Sequence, residues 1–133
     1  MRILVGYVRS ELGRHVLDHA IEEARLRGGQ LLVLNELKAS DEDDAEAYRR
    51  EFEELDRRLT DEGLDHRMLE YTVGDSKAED LLAAARKNDV DLLVIGLRRR
   101  SPVGKLVMGS SAQEILLNAD CPVLAVKLPA GRE

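Results

Sequence analysis

Short runs of apolar residues recur along the chain at intervals that leave room for a helix between consecutive runs. All but the third run are nearly continuous rather than alternating, which indicates strands covered on both faces, as in a parallel sheet. The predicted strands are Ile3 to Val5, Leu31 to Leu34, Met68 to Val73, Leu92 to Ile95 and Val123 to Val126.

The intervals between these strands carry apolar residues at helical spacing, which predicts four amphipathic helices. Their apolar stripes are Val16, Leu17, Ala20, Ile21 and Ala24 in the first, Ala45, Tyr48, Phe52, Leu55 and Leu59 in the second, Ala78, Leu81, Leu82 and Ala85 in the third, and Ile115 and Leu116 in the fourth. Gly28 and Gly29 end the first helix. Capping boxes of Ser76 with Glu79 and of Ser111 with Glu114 predict where the third and fourth helices begin.

This alternation predicts an α/β fold, a doubly wound open parallel sheet with right-handed crossovers, and one domain over residues 1–133. In such a fold a ligand binds outside the carboxyl ends of the strands, where the strand order reverses. The loops from Gly6 to Gly13 and from Gly96 to Gly109 are therefore the first candidates for a site.

Composition narrows the possible functions. The chain has 133 residues, 44% of them apolar, and a formal net charge of −6, which argues against a sequence-independent grip on nucleic acid. Its charge-free stretches are too short to span a bilayer, and its start has no signal-peptide pattern. Its single cysteine permits no internal disulfide. We expect a cytoplasmic protein whose acidic segment, Asp41 to Glu62, is a solvated helix and its entry.

The loop after the fourth predicted strand combines three parts of an anion site. Gly96 lets the backbone approach a ligand, arginines and a lysine supply positive charge, and Gly109-Ser110-Ser111 offers amides and hydroxyls at a helix start. The cations are Arg98, Arg99, Arg100 and Lys105. This set favours phosphate. It is not a Walker loop, because Leu106 follows Lys105 and Arg99 stands five residues before Gly104.

The whole chain resembles the universal stress proteins, from Ile3-Leu4-Val5 to Cys121-Pro122-Val123. Their pattern Gly-x-x-Gly, nine residues, Gly-[Ser/Thr] is matched here by Gly96, Arg99 at the second glycine, and Gly109-Ser110. The resemblance implies a flavodoxin-like or Rossmann-like sheet of order 3-2-1-4-5. It also implies homodimers joined through the last strand, with Val123, Leu124, Ala125 and Val126 at the interface. One branch of the family binds ATP, and the other lacks the glycine motif.

Three positions depart from the ATP-binding pattern. Arg99 either fills phosphate space or neutralises it, Val8 replaces an acid that contacts the nucleoside, and Glu36 replaces a residue near the adenine. A glutamate there is either turned outward or a poor neighbour for a triphosphate. The leading ligand is ATP or a related adenine nucleotide, with or without Mg²⁺. Its candidate binding residues are Gly6, Tyr7, Val8, Ile95, Gly96, Arg98, Arg99, Gly109, Ser110 and Ser111.

Two other functions remain open. One is a dimeric interaction module of the same family that binds no nucleotide. The other is slow ATP hydrolysis from positioning alone, because the serines have no base beside them in the sequence and neither loop holds paired carboxylates.

The histidines and the cysteine have ordinary explanations. His15 and His19 lie four residues apart on the first helix, but a third ligand is missing, so we expect solvated side chains and no metal site. His66 lies in a predicted turn with no visible partner. Cys121 is expected to be small apolar filling rather than a redox thiol.

Overall fold

A computed structural model describes residues 1–36, 45–70, 76–98 and 109–129. The strands are β1 (Arg2–Tyr7), β2 (Gln30–Asn35), β3 (His66–Leu69), β4 (Leu92–Leu97) and β5 (Val123–Lys127), and the helices are α1 (Glu11–Arg27), α2 (Ala45–Asp61), α3 (Lys77–Lys87) and α4 (Ser110–Asn118). All strand pairs are parallel, in the order β3-β2-β1-β4-β5. The predicted α/β fold and the strand order implied by the family resemblance are confirmed.

The continuous apolar runs are explained by helices on both faces of the sheet. Ile3 and Val5 of β1 pack on one side with the apolar stripes of α1 and α2. Leu4, between them, points to the opposite side, where α3 and α4 pack. All three side chains are fully buried, because successive residues of a strand face opposite sides of a sheet.

Helix ends follow the predicted signals in α1 and α3. Gly28 ends α1 with φ of +60°, a left-handed conformation that glycine adopts without strain. The Ser76 hydroxyl accepts a hydrogen bond from the Glu79 amide at the start of α3, at 3.1 Å.

The predicted cap of α4 is wrong. Its N-cap is Gly109, which makes no side-chain cap bond, and Ser111 already lies within the first turn. The Gly109 carbonyl accepts from the Gln113 amide at 3.0 Å, so the helical bonds begin before Ser111 can act as a cap.

The third strand lies earlier in the chain than the apolar pattern predicts. β3 begins at His66 and ends at Leu69, whereas the sequence pattern predicted Met68 to Val73. Pairing with β2 decides this, because the register runs from Leu31 opposite His66 to Leu34 opposite Leu69. Residues 71–75 lie outside the described part of the chain.

His66, expected in a turn without a partner, instead connects β3 to α2. Its Nε2 lies 2.6 Å from Asp56 Oδ1 and its Nδ1 lies 2.7 Å from the Leu64 carbonyl oxygen. Only the protonated ring can donate to both oxygens. Burial on its own lowers the pKa of His66, but the bonds to Leu64 and Asp56 outweigh it and raise this pKa above its usual value.

This pair predicts a pH-dependent contribution to stability. The contribution is complete below the unfolded-state pKa of about 6.5 and is lost as the pH rises through the higher folded-state pKa. Because the Asp56 side chain is 52% exposed, solvent screens the pair, and we expect less than about 1 kcal/mol. Urea denaturation should show parent protein more stable than His66→Gln at pH 5.5, with the gap narrowing by pH 9. A gap that does not change with pH would contradict the charged pair.

In the described ranges, no helix is both long enough and apolar enough to cross a membrane.

Candidate functional site

A cleft opens at the carboxyl ends of β1 and β4, the neighbouring strands between which the strand order reverses. β1 continues into α1 on one face and β4 leads towards α4 on the other, so the backbones separate there. The cleft holds a cavity of about 200 Å³. Among the described residues, its apolar side chains include Leu12, Val16, Leu81, Val94, Ile95 and Ile115, and its polar ones are Ser10, Glu36, Lys77 and Arg98.

One wall of this cavity is the start of α1. Ser10 caps the helix, and its hydroxyl accepts from the Gly13 amide at 2.9 Å. Gly13 lies so close to the preceding loop that an added Cβ would be 2.2 Å from the Val8 carbonyl oxygen. The tight turn therefore depends on the absence of a side chain at Gly13, and it brings Val8 and Ser10 into the wall of the cavity.

Gly96, within β4, also lines the cavity and has a packing role that the sequence did not reveal. An added Cβ would lie 2.9 Å from Val16 Cγ2 and 3.1 Å from Leu12 Cγ, so the glycine lets α1 pack closely on β4. That Gly96 lets the backbone approach a ligand in this cavity stays a prediction.

Glu36, at the end of β2, is turned into the cleft. It is only 7% exposed, and an added Cβ on Gly6 would lie 2.6 Å from its carboxyl carbon. Of the two orientations that the sequence left open, the structure has the inward one. The missing side chain at Gly6 makes room for this carboxylate.

A second cavity, of about 420 Å³, shares Val8, Glu36 and Lys77 with the first. It extends towards α2, and its other wall residues are Tyr7, Arg9, Arg14 and Tyr48. Lys77 comes from the first turn of α3 and Arg14 from α1, so cations from two faces of the sheet meet here. Together the two cavities form a cleft with an apolar interior and a largely cationic rim.

Two tyrosines stabilise the α2 side of the cleft. The Tyr48 hydroxyl donates to the Tyr7 carbonyl, and the Tyr7 hydroxyl donates to the Glu51 carboxylate at 3.0 Å. Burial raises the pKa of Tyr7 to about 12, aided by the bond to Glu51, and burial together with the Glu36 carboxylate raises the pKa of Tyr48. Both phenols are protonated at neutral pH, so they act as hydrogen-bond donors and not as bases.

The structure brings most of the predicted site residues together. Gly6, Val8, Ile95, Gly96 and Arg98 line the first cavity, and Tyr7 and Val8 line the second. Gly109, Ser110 and Ser111 stand at the start of α4 but are not among the described wall residues of the first cavity. Ala112 and Ile115, later in the same helix, do line it. Arg99, Arg100 and Lys105 lie outside the described residues.

Sequence reasoning missed Lys77 as a cleft residue. The Ser76 cap contained the signal, because the N-terminus of a crossover helix lies at the same edge of the sheet as the carboxyl ends of the strands. The residue after that cap could therefore have been placed at the cleft. Ser10 could have been found in the same way, as the cap of α1.

The remaining candidates lie away from the cleft. Within the described residues, no group of three or more histidine, cysteine or acidic side chains could hold a metal ion. His15 and His19 contact each other edge to face, with ring centroids 4.8 Å apart. Cys121 is half-buried beside the α3 and α4 core, and burial raises the pKa of its thiol, which disfavours the reactive thiolate.

Comparisons with known proteins agree on one family. The model of the Universal stress protein family matches residues 1–127. A universal stress protein of Mycolicibacterium smegmatis is 43% identical over 126 residues, which are 94% of this chain and 96% of that protein.

Solved structures show the same fold over nearly the whole chain. A universal stress protein from Archaeoglobus fulgidus has a TM-score of 0.77 and 31% identity, with 96% of this chain and 98% of that chain covered. A universal stress protein from the same organism, in complex with dAMP, has a TM-score of 0.70 and 27% identity, with the same coverage.

Proposed function

Because this chain belongs to the universal stress protein family, we propose that it binds an adenine nucleotide in the cleft between β1 and β4. The observation that carries the proposal is the composition of the cleft. It has an apolar interior at the point where the strand order reverses, with Lys77 and Arg98 at its polar edge. An apolar interior suits a base, and fixed cations suit phosphates. The dAMP complex of the Archaeoglobus fulgidus relative supports the same ligand class.

The phosphates are assigned to the Arg98 side of the cleft. Arg98 follows β4 directly, and α4 begins at Ser110 with its first amides unbonded within the helix. A helix N-terminus and an arginine both favour negative charge, and here the same connection supplies both. ATP, ADP and AMP would share this phosphate site and differ in how many cations they engage.

Isothermal titration of the purified protein with ATP, ADP, AMP and cyclic AMP tests this function. The protein should first be denatured and the supernatant analysed by absorbance and mass, because nucleotide carried through purification would mask binding. Saturable binding of at least one nucleotide, or its release on denaturation, supports the proposal. Neither release nor a binding signal at millimolar ligand would overturn it.

That negative result would favour the second candidate, an interaction module that binds no nucleotide. Val8 and Glu36 in the cleft wall favour this alternative, because one offers no polar group and the other carries a negative charge. Slow ATP hydrolysis, the third function, would show as phosphate release that scales with protein concentration.

We further propose that two copies associate through β5, with Val123, Leu124, Ala125 and Val126 at the interface. β5 is an edge strand of the sheet, and its first three residues are half-buried apolar side chains. An unprotected apolar edge favours pairing with another strand. A two-fold axis at this edge would make the contact isologous.

The register of β5 identifies the substitution that tests this dimer. The Leu93 amide donates to the Pro122 carbonyl, so in a parallel ladder the amides of Leu124 and Val126 also face β4, whereas that of Ala125 faces the open edge. Proline at Leu124 would therefore damage the sheet itself. Proline at Ala125 removes an outward donor and is compatible with an edge strand.

Light scattering after size exclusion should report twice the 14.9 kDa chain mass for the parent protein and for Ala125→Val, which keeps the amide. Ala125→Pro should elute as a folded monomer. A parent protein that is monomeric at high concentration would contradict the proposed dimer.

A further inference from the structure

Glu36 is a buried acid whose position within the cleft is determined by packing. Its side chain is 7% exposed, and both carboxylate oxygens lie within 2.9 Å of the place where a Cβ on Gly6 would stand. The carboxylate therefore lies against the backbone of β1, in a space that exists only because Gly6 has no side chain. Glu36 and Tyr48 line the second cavity together, which places the same carboxylate near the α2 side of the cleft.

The carboxylate also stands at the junction of the two cavities. Of the residues that the structure describes, Glu36, Val8 and Lys77 line both of them. A ligand that extends from one cavity into the other passes these three side chains. Among the three, the Val8 side chain has no polar atom and the Lys77 side chain can only donate, so the acceptors are the carboxylate oxygens of Glu36.

The carboxyl oxygens of Glu36 limit which ligand groups can lie next to them. Hydroxyl and amino groups can donate to these oxygens, whereas phosphate oxygens are themselves acceptors and cannot. In a nucleotide, the ribose is the part between the base and the phosphates, and its hydroxyls are donors. In the dinucleotide-binding members of the doubly wound folds, an acid about 20 residues after the glycine-rich turn accepts a hydrogen bond from the ribose 2′-hydroxyl. Glu36 directly follows β2.

We propose that Glu36 binds the ribose hydroxyls of the nucleotide and makes this protein selective for ribonucleotides over deoxyribonucleotides. The inference rests on the proposed function and adds which part of the ligand Glu36 contacts. In this arrangement the ribose lies beside Glu36 at the edge of the first cavity, and the phosphates lie towards Arg98.

The first test needs only the parent protein. Calorimetric titrations with AMP, 2′-deoxy-AMP and 3′-deoxy-AMP compare ligands that differ by a single hydroxyl. Loss of a hydrogen bond to a charged group weakens binding by about tenfold or more, so at least one deoxy compound should bind that much more weakly than AMP. Equal affinities for all three would overturn the inference.

The second test assigns the selectivity to Glu36. Glu36→Gln keeps the shape of the side chain but removes its charge and one acceptor. AMP should then bind about tenfold more weakly, the deoxy compound should change little, and the ratio between them should approach one. Glu53→Gln, at an exposed position of α2, is the matched control and should keep the parent ratio. Parent-like selectivity in a folded Glu36→Gln protein would assign the hydroxyl contact to another residue and overturn the inference.

The two levels of the proposal fail differently. If the parent protein binds none of the nucleotides, both the proposed function and the ribose contact are overturned. If it binds AMP and deoxy-AMP equally well, nucleotide binding stands and the role of Glu36 falls. Thermal melting of each variant shows whether it is folded, and the ligand series on the parent protein decides the inference even if a variant is not.

Discussion

Methionine at both Lys77 and Arg98 is expected to weaken ATP binding by about a hundredfold or more and to leave adenosine binding nearly unchanged. Both side chains line the first cavity, one from the start of α3 and one from the end of β4. A hydrogen bond to a charged group contributes about 1.5–3 kcal/mol, or about tenfold or more in affinity for each side chain. Methionine keeps an unbranched chain, so the loss reports charge rather than packing.

Calorimetric titrations with ATP and adenosine at two salt concentrations would measure this. The ATP affinity of the parent protein should fall as salt rises, and that dependence should be weaker in the double variant. Lys87→Met, at the far end of the same helix and exposed, is the control and should behave as the parent. An equal loss for ATP and adenosine would mean that the two cations support the cleft structure instead of reading phosphate.

Serine at Gly13 is expected to destabilise the fold by about 1–3 kcal/mol, although serine has a better helix propensity than glycine. The added Cβ would lie 2.2 Å from the Val8 carbonyl oxygen, a backbone atom that cannot move without shifting the start of α1. The cleft wall formed by Val8 and Ser10 would shift with it, so nucleotide binding should weaken as well.

Gly109→Ser is the matched control for this substitution. Gly109 has φ of −67° and ψ of 159°, which any residue adopts, and no described atom lies within 4 Å of an added Cβ. Serine is also a preferred N-cap residue, so stability should stay the same or rise by a few tenths of a kcal/mol. Denaturant unfolding of both variants measures the difference, and equal stabilities would contradict the close contact at Gly13.

The two glycines at the cleft show how far residue type alone can be interpreted. Gly96 was expected to matter for a ligand, yet the closest contacts of its missing side chain are Val16 and Leu12 of α1. Gly6 begins the other candidate loop, yet the space it leaves is taken by Glu36, which follows β2. A glycine in a sequence indicates that a side chain is excluded, and only the packed structure shows what excludes it.

Local signals were sufficient where the deciding interactions are local. The Ser76 cap and the Gly28 helix end follow from backbone groups within a few residues, and the two-sided burial of β1 follows from its continuous apolar run. The β3 boundary and the partner of His66 failed for the opposite reason. The β3 boundary depends on pairing with β2, which lies far away in the chain. The partner of His66 is Asp56 of α2, and the two meet only through the conformation of the loop between α2 and β3, which local signals do not specify.

The amino-acid pattern by itself determined the element order, the parallel α/β fold and the end of the sheet at which a site should lie, because hydrophobic periodicity and crossover handedness are properties of chain segments. Tertiary structure alone decided that Glu36 turns inward onto Gly6, that Lys77 reaches the same cleft, and that the Ala125 amide faces the open edge while that of Leu124 faces β4. These depend on distances between segments remote in sequence, and such distances exist only once the helices have packed on the sheet.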